Sequence, residues 1–173
     1  MSSLHPYLPV LKGLAIAGSF INGGTLTSGY RLLPAVYPTA SKSPRDAAKQ
    51  WEYFYWSMSA TVPWVDLTTI IAIGTLGYAE YKQDGAGLPW KIWAAAAAIM
   101  PVGWVWVRKV MLVPSYKLLA IANPARAAGE SKPVKASSEE TVGLLRQFNS
   151  EMGFRMMFPW VVGGLSLWAT LGF

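Results

Sequence analysis

Asp66 is the residue whose setting most suggests chemistry. Thirteen uncharged and mostly apolar residues separate it from Glu52 on one side and from Glu80 on the other. The carboxylate therefore falls in the middle of a segment that reads as a membrane-spanning helix, where an ionisable group is costly and by default marks a functional site. On the same helix Glu52, Tyr55, Ser59 and Asp66 lie near one face at spacings of three, four and seven, so a polar stripe leads towards the carboxylate. Asn22 interrupts another apolar segment, and Trp104 and Arg108 share a face of a third. In a fourth, Glu151 and Arg155 stand four apart, the spacing of a local ion pair. That pair also has a plainer reading, as an interfacial anchor. For Asp66 the plainer reading is a structural bond to Asn22, Thr69 or Arg155.

Other chemistries are disfavoured by what the chain lacks. It has no cysteine, which excludes disulfides, thiolate metal sites and cysteine nucleophiles. A single histidine, His5, argues against a His-based metal centre or haem ligation. No Gly-rich phosphate loop, catalytic triad or metal-ligand cluster is visible, so the expected metal and cofactor sites are none.

The elements that must position these residues follow from composition. With 53% hydrophobic and only 14% charged residues among 173, the chain has too few polar groups to cover a soluble domain. The expected fold class is all-α, an integral membrane four-helix bundle forming one domain over 1-173. Its spans are expected at about 10-30, 53-78, 90-112 and 150-172, each near the roughly 20 residues that cross a hydrocarbon core once tilt is allowed. The first reads as a retained helix rather than a signal peptide, because eighteen uncharged residues follow Lys12 with no clear cleavage site.

Charge then orients the bundle. The first and third loops hold ten basic residues (Arg31, Lys42, Arg45, Lys49, Arg108, Lys109, Lys117, Arg126, Lys132 and Lys135), against Lys12, Lys82 and Lys91 on the opposite side. The positive-inside rule places the two long loops in the cytosol and both termini across the membrane. The net charge of +6 is mostly this topological signal, helped by anionic lipid, and nothing suggests a nucleic-acid partner. Pro38 to Pro44 and Asn123 to Glu130 read as linkers. Ser137 with Glu140 three residues on reads as a capping box that starts the last helix before it enters lipid.

Counted from the cytosolic boundary, Asn22, Pro63, Pro101 and Pro159 all fall at a depth of roughly 10 to 15 Å, with Asp66 a turn deeper. Three prolines at one depth free the carbonyls of Ser59, Ala97 and Arg155, which must find partners inside the bundle. The many aromatic residues read chiefly as interfacial belts, with a surplus on the cytosolic side suited to lining an aromatic pocket. Ala15, Ser19 and Gly23, Ala94 to Ala98, and Gly163-Gly164 read as close helix packing.

The C-terminal part of the chain carries a resemblance. The stretch from Trp104 to Leu119, with Met111-Leu-Val-Pro114, is followed after a loop by Leu144-Leu145, Phe148, and Arg155 with Pro159. This pattern resembles the anthrone oxygenase family of small four-helix membrane proteins, many of them encoded with fungal polyketide pathways. A Gly-rich first helix and Trp51-x-x-x-Tyr55 match more loosely. The chain departs from the family pattern at Ser115-Tyr116, where members often have Thr-Asn, at Phe148 in place of Trp, and at Met152 in place of Asn or His.

The resemblance implies a membrane tailoring enzyme of secondary metabolism that oxygenates a lipophilic polycyclic aromatic, anthrone to anthraquinone, with dioxygen as co-substrate and no cofactor. The location it implies is the endoplasmic reticulum. An anthrone carries an acidic methylene whose deprotonated form reduces dioxygen directly, so the protein need supply a base, a cation for the oxyanion, and a dry aromatic pocket. In that scheme Asp66 is the base and Arg155 holds the oxyanion. Asn22, Glu52, Tyr55, Trp104, Arg108 and Glu151 line the substrate site. Two other readings stay open: a membrane cyclase or isomerase of a polyketide or terpenoid, in which Asp66 is an acid, and a non-catalytic scaffold.

Overall fold

The computed structural model describes residues 5–85, 87–124 and 136–172, and these are helical almost throughout, with no strand among them. After a 3-10 turn at His5–Tyr7, α1 runs over Leu8–Leu32 with Pro9 in its first turn, where a missing N–H costs nothing. A 3-10 turn at Leu33–Val36 leads into the short α2, Tyr37–Lys42.

Pro38 to Pro44 is thus not the linker that its composition suggests. Pro34 and Pro38 sit at the first positions of their turns, where the fixed φ favours helix. Leu33 and Ala40, 2% and 0% exposed, anchor the segment by burial. Ser43, extended at φ −146°, then caps the next helix: its carbonyl accepts from Ala47 N–H and its Oγ from Asp46 N–H.

That helix, α3, spans Pro44–Gln83. Its 40 residues extend about 60 Å, twice the thickness of a hydrocarbon core. The next rod begins as α4, Leu88–Trp106, widens into a π-turn at Val107–Met111 and continues as α5, Leu112–Ala122. The π-turn precedes Pro114, which cannot donate back to Val110, and the Leu112 N–H reaches to Val107 O instead. Residues 125–135 lie outside the described part, and with them most of the expected second linker and the basic residues Arg126, Lys132 and Lys135.

α6, Ser138–Arg155, starts as its sequence predicts, with Ser137 Oγ accepting from Glu140 N–H at 3.0 Å. The expected single span of 150-172 is divided. α6 ends at Arg155, a turn at Met156 intervenes, and α7 runs over Met157–Leu171. Pro159 is the cause: it cannot donate to the Arg155 carbonyl, and in a new helix it occupies the first turn, where it is tolerated. α7 closes on Gly172 at φ 71°, a left-handed cap open to glycine.

Two of these helical rods, Pro44–Gln83 and Leu88–Ala122, are long and apolar enough to cross a membrane. α7, with 15 residues, is shorter than the roughly 20 that a core demands.

The chain divides into two compact units. The first comprises Met1–Thr25, Thr61–Trp104 and Met156–Phe173, and the second Leu26–Ala60 and Val105–Arg155. In the first unit Lys12 pairs with Glu80 at 3.8 Å and Asn22 with Asp66, a register that makes α1 and α3 antiparallel. Gly77 on α3 lets Trp93 of α4 approach, Gly103 on α4 faces Phe158, and Gly163 of α7 lies under the Phe20 ring of α1. The four segments therefore close into a ring around Ala15, Ala72, Ile73, Leu76, Trp93 and Val162. Of the small residues expected at helix contacts, Ala15, Ser19, Gly23, Ala96 and Gly163 are so placed, while Ala94, Ala95, Ala98 and Gly164 face outwards or open space. The alanine run turns only one residue in five fully inwards, as the helical repeat requires.

The second unit has its own core, built on Trp51. Tyr55 stacks on that indole at 5.0 Å and Phe148 meets it edge-on at 5.2 Å. Leu33, Ala40, Met111, Leu118, Leu144 and Leu145 complete it. α6 packs against α2 and α5 through Thr141, Leu144, Leu145, Phe148 and Met152, one stripe at helical spacing. Tyr37 of α2 lies beneath Arg146 and bonds to Asn149, and burial raises its phenol pKa despite the cation.

Candidate functional site

In the first unit the inward face of α3 reads Val62, Asp66, Thr69, Ile73 and Leu76, a buried stripe in which one position is a carboxylate. Asp66 is 3% exposed. The antiparallel register sets α1 opposite it, and Asn22, 2% exposed, donates from Nδ2 to Asp66 Oδ1. From α4 the Trp104 indole Nε1 donates to Oδ2 at 3.0 Å. Each carboxylate oxygen thus receives a donor from a different helix, the arrangement that makes a buried acidic group tolerable.

The surroundings keep this centre apolar. Gly23, one residue from Asn22, faces the Trp160 indole, which meets Phe20 edge-on at 5.4 Å. Most neighbouring hydroxyls turn back onto their own helices: Ser19 to Ala15 O and Thr69 to Val65 O, both at 2.7 Å. Among the described residues of this unit, three polar side-chain atoms are buried without a hydrogen-bond partner: Asn22 Oδ1, Trp93 Nε1 and Ser166 Oγ.

Geometrically the centre can exchange a proton at Asp66 in a dry setting. It also offers an amide oxygen, Asn22 Oδ1, free to accept a hydrogen bond. The described residues contain no group of three or more His, Cys, Asp or Glu side chains able to hold a metal ion.

No family model, curated protein or solved structure matches this chain.

The remaining expected site residues belong to the second unit. Glu52 accepts from Trp56 Nε1 at 3.3 Å and from Asn123 Nδ2 at 2.6 Å, which ties the end of α5 to α3. Tyr55 is held between Trp51 and Trp56. Arg108 is exposed on the π-turn.

The spacing of Glu151 and Arg155 predicts a local ion pair, and the structure replaces it. Gln147, one turn earlier on the same face, donates to Glu151 Oε1 at 2.8 Å, and Oε2 is buried without a partner. Arg155 is the last residue of α6, at the break before Met156. Trp106 anchors the same region by donating to the Glu151 carbonyl at 3.2 Å.

Sequence reasoning placed Trp104 among substrate contacts and missed that its N–H serves Asp66. The composition around Asn123 reads as linker, and its pairing with Glu52 over 71 positions leaves no local sequence signal.

Proposed function

We propose that this chain is an integral membrane enzyme whose acid–base group is Asp66, acting on a lipophilic polycyclic aromatic. The observation that carries the reading is a carboxylate at 3% exposure, clasped by Asn22 and Trp104 at the centre of a long apolar helix. A purely structural position there is filled more cheaply by an apolar side chain, so the carboxylate is accounted for by proton transfer.

Membrane insertion is supported by where the apolar surface lies. The hydrophobic windows of α3 and of the α4–α5 rod are only 33% and 22% buried, unlike the core helices of a soluble domain. Val10, Leu14, Ile21, Trp64, Ile71, Val102, Val161 and Leu171 are among the large apolar side chains left outside, a surface that lipid covers. In this reading the chain has four spans; the charge bias favours cytosolic basic loops, and the endoplasmic reticulum is the location that the anthrone oxygenase resemblance implies.

The reaction taken from the anthrone oxygenase resemblance is oxygenation of an anthrone-type methylene. A base removes one methylene proton, the carbanion reduces dioxygen, and the resulting hydroperoxide loses water to leave the ketone. One oxygen atom enters the product and the other leaves as water. Purified protein in lipid or detergent, given an anthrone and oxygen, is expected to consume one dioxygen per anthraquinone formed. An isotopic label from dioxygen should appear in the product. Unchanged oxygen with an isomeric or cyclised product would replace oxygenation by the cyclase or isomerase reading.

A non-catalytic role is favoured by one observation, that two helices of the chain itself donate to the Asp66 oxygens. Asp66→Asn distinguishes the two: a scaffold keeps its product profile at normal abundance, and an enzyme does not.

A further inference from the structure

Two of the partners of Asp66 differ in kind. The Trp104 indole N–H can only donate, whereas the Asn22 side chain carries a donor at one end and an acceptor at the other. In this structure Asn22 presents its donor, Nδ2, to Asp66 Oδ1, which suits an ionised carboxylate. Its acceptor, Oδ1, is buried and has no hydrogen-bond partner. An asparagine anchored at both ends is locked. This one is anchored only at Asp66, so a half-turn about its last side-chain bond breaks no other hydrogen bond.

We infer that Asn22 is a positioning residue whose amide inverts with the protonation of Asp66. When the carboxylate is ionised, Nδ2 donates to it. When Asp66 carries a proton, the amide turns and Oδ1 accepts that O–H, while Trp104 continues to donate to the other oxygen. Asp66 keeps a partner on each oxygen in both states. A fixed donor in place of Asn22 would face the new O–H with its own hydrogen and leave one of the two unpaired, a costly arrangement in a dry site. The inversion therefore lets one buried carboxylate serve first as base and then as acid.

The charged and hydroxyl groups described in this unit lie elsewhere or are engaged. Within the described residues of the first unit, α1 brings no charged side chain except Lys12, which pairs with Glu80. α4 brings none between Lys91 and Trp104, and α7 brings none at all. On α3 itself the other titratable groups of this unit, Tyr78, Glu80, Tyr81 and Lys82, lie three turns or more from Asp66. Thr69 is turned onto Val65 O and Ser19 onto Ala15 O.

The inference rests on the acid–base reading of Asp66 but is tested without turnover. In full-length protein in lipid, labelled with ¹⁵N in the Asn22 amide and the Trp104 indole and with ¹³C at the Asp66 carboxyl, solid-state NMR reads two dipolar couplings. The Asp66 ¹³C shift reports its protonation as pH is varied. The Asn22 ¹⁵N coupling to the Asp66 carbon should be strong in the ionised form, fall when Asp66 protonates, and recover on back-titration. The Trp104 coupling should stay constant. An Asn22 coupling that does not change across the titration overturns the inversion, as does a carboxyl that never titrates while the protein remains folded. Loss of turnover in Asp66→Asn is a separate result: if it is not seen, the enzymatic reading falls while the amide inversion is still read directly.

Discussion

At the scale of single residues, the proposed chemistry centres on one place. Glu52 and Glu151 are half-buried and held by neighbours in the second unit, whereas Asp66 is buried at the centre of the first. Replacing Asp66 by Asn keeps size and polarity but removes the transferable proton. Under the proposed acid–base role, turnover should fall by about two or more orders of magnitude, the contribution general acid–base catalysis makes. Matched membrane abundance is the necessary control, and near-normal turnover in a well-folded variant would remove Asp66 from the mechanism. Asp66 was legible from the sequence because charge is so rare in its segment. Asn22 was legible because it is the lone amide in another. Trp104 was not, since an indole N–H in an apolar run looks the same whether it faces lipid, a headgroup or a buried carboxylate.

At the scale of helices, glycines record which contacts are close and which only look so. A Cβ added at Gly18 would land on the Thr69 hydroxyl, whereas one added at the exposed Gly13 meets nothing within 4 Å. Gly18→Ala should therefore destabilise the protein by about 1–3 kcal/mol, the cost of overpacking. Thr69→Ala in the same chain should restore much of it by removing the struck hydroxyl. Gly13→Ala should be neutral or stabilising by about 0.5–1 kcal/mol, because it only reduces backbone freedom. Thermal unfolding of the four proteins in one detergent checks the set, and equal losses at Gly13 and Gly18 would contradict this packing. Similarly, Ser137→Ala removes the Oγ that accepts the Glu140 N–H and should cost about 1 kcal/mol. Gly18 and Gly13 are indistinguishable in sequence, since five residues along one helix decide which faces a neighbour. Ser137 is different. Its cap is local, so its spacing to Glu140 suffices to read it.

At the scale of the whole chain, proline and charge act at different ranges. Pro63, Pro101 and Pro159 each lie within four residues of a point where the chain passes from one compact unit to the other, at 60/61, 104/105 and 155/156. Pro63 and Pro101 lie inside continuous helices, and Pro159 lies in the first turn of α7. The second unit was not legible. α2 has only six residues and its composition is that of a loop, so what makes it helical is burial of Leu33 and Ala40 against residues distant in sequence. Packing of that kind leaves no periodic trace in so short a run.

Topology rests instead on a count of charges. Under the proposed topology, ten basic residues in the first and third loops stand against three on the other side, a bias of the kind that insertion machinery reads before any tertiary contact forms. A reporter inserted near Lys42 or Lys132 is therefore expected on the cytosolic side, and one after Phe173 on the opposite side. Because α2 is folded into the core of the second unit through Ala40, a bulky insertion at Lys42 also threatens the fold. A single cysteine at Lys42, in a chain that has none of its own, is the gentler probe. Lys42 is exposed, so Lys42→Cys should react with a membrane-impermeant thiol reagent only after the cytosolic face is opened to it. Labelling of Lys42→Cys from the opposite face of sealed membranes, with the C-terminal reporter protected there, would invert the orientation. Labelling of both from one face would require an even number of crossings between them, where the four-span reading has three, and would overturn that reading itself.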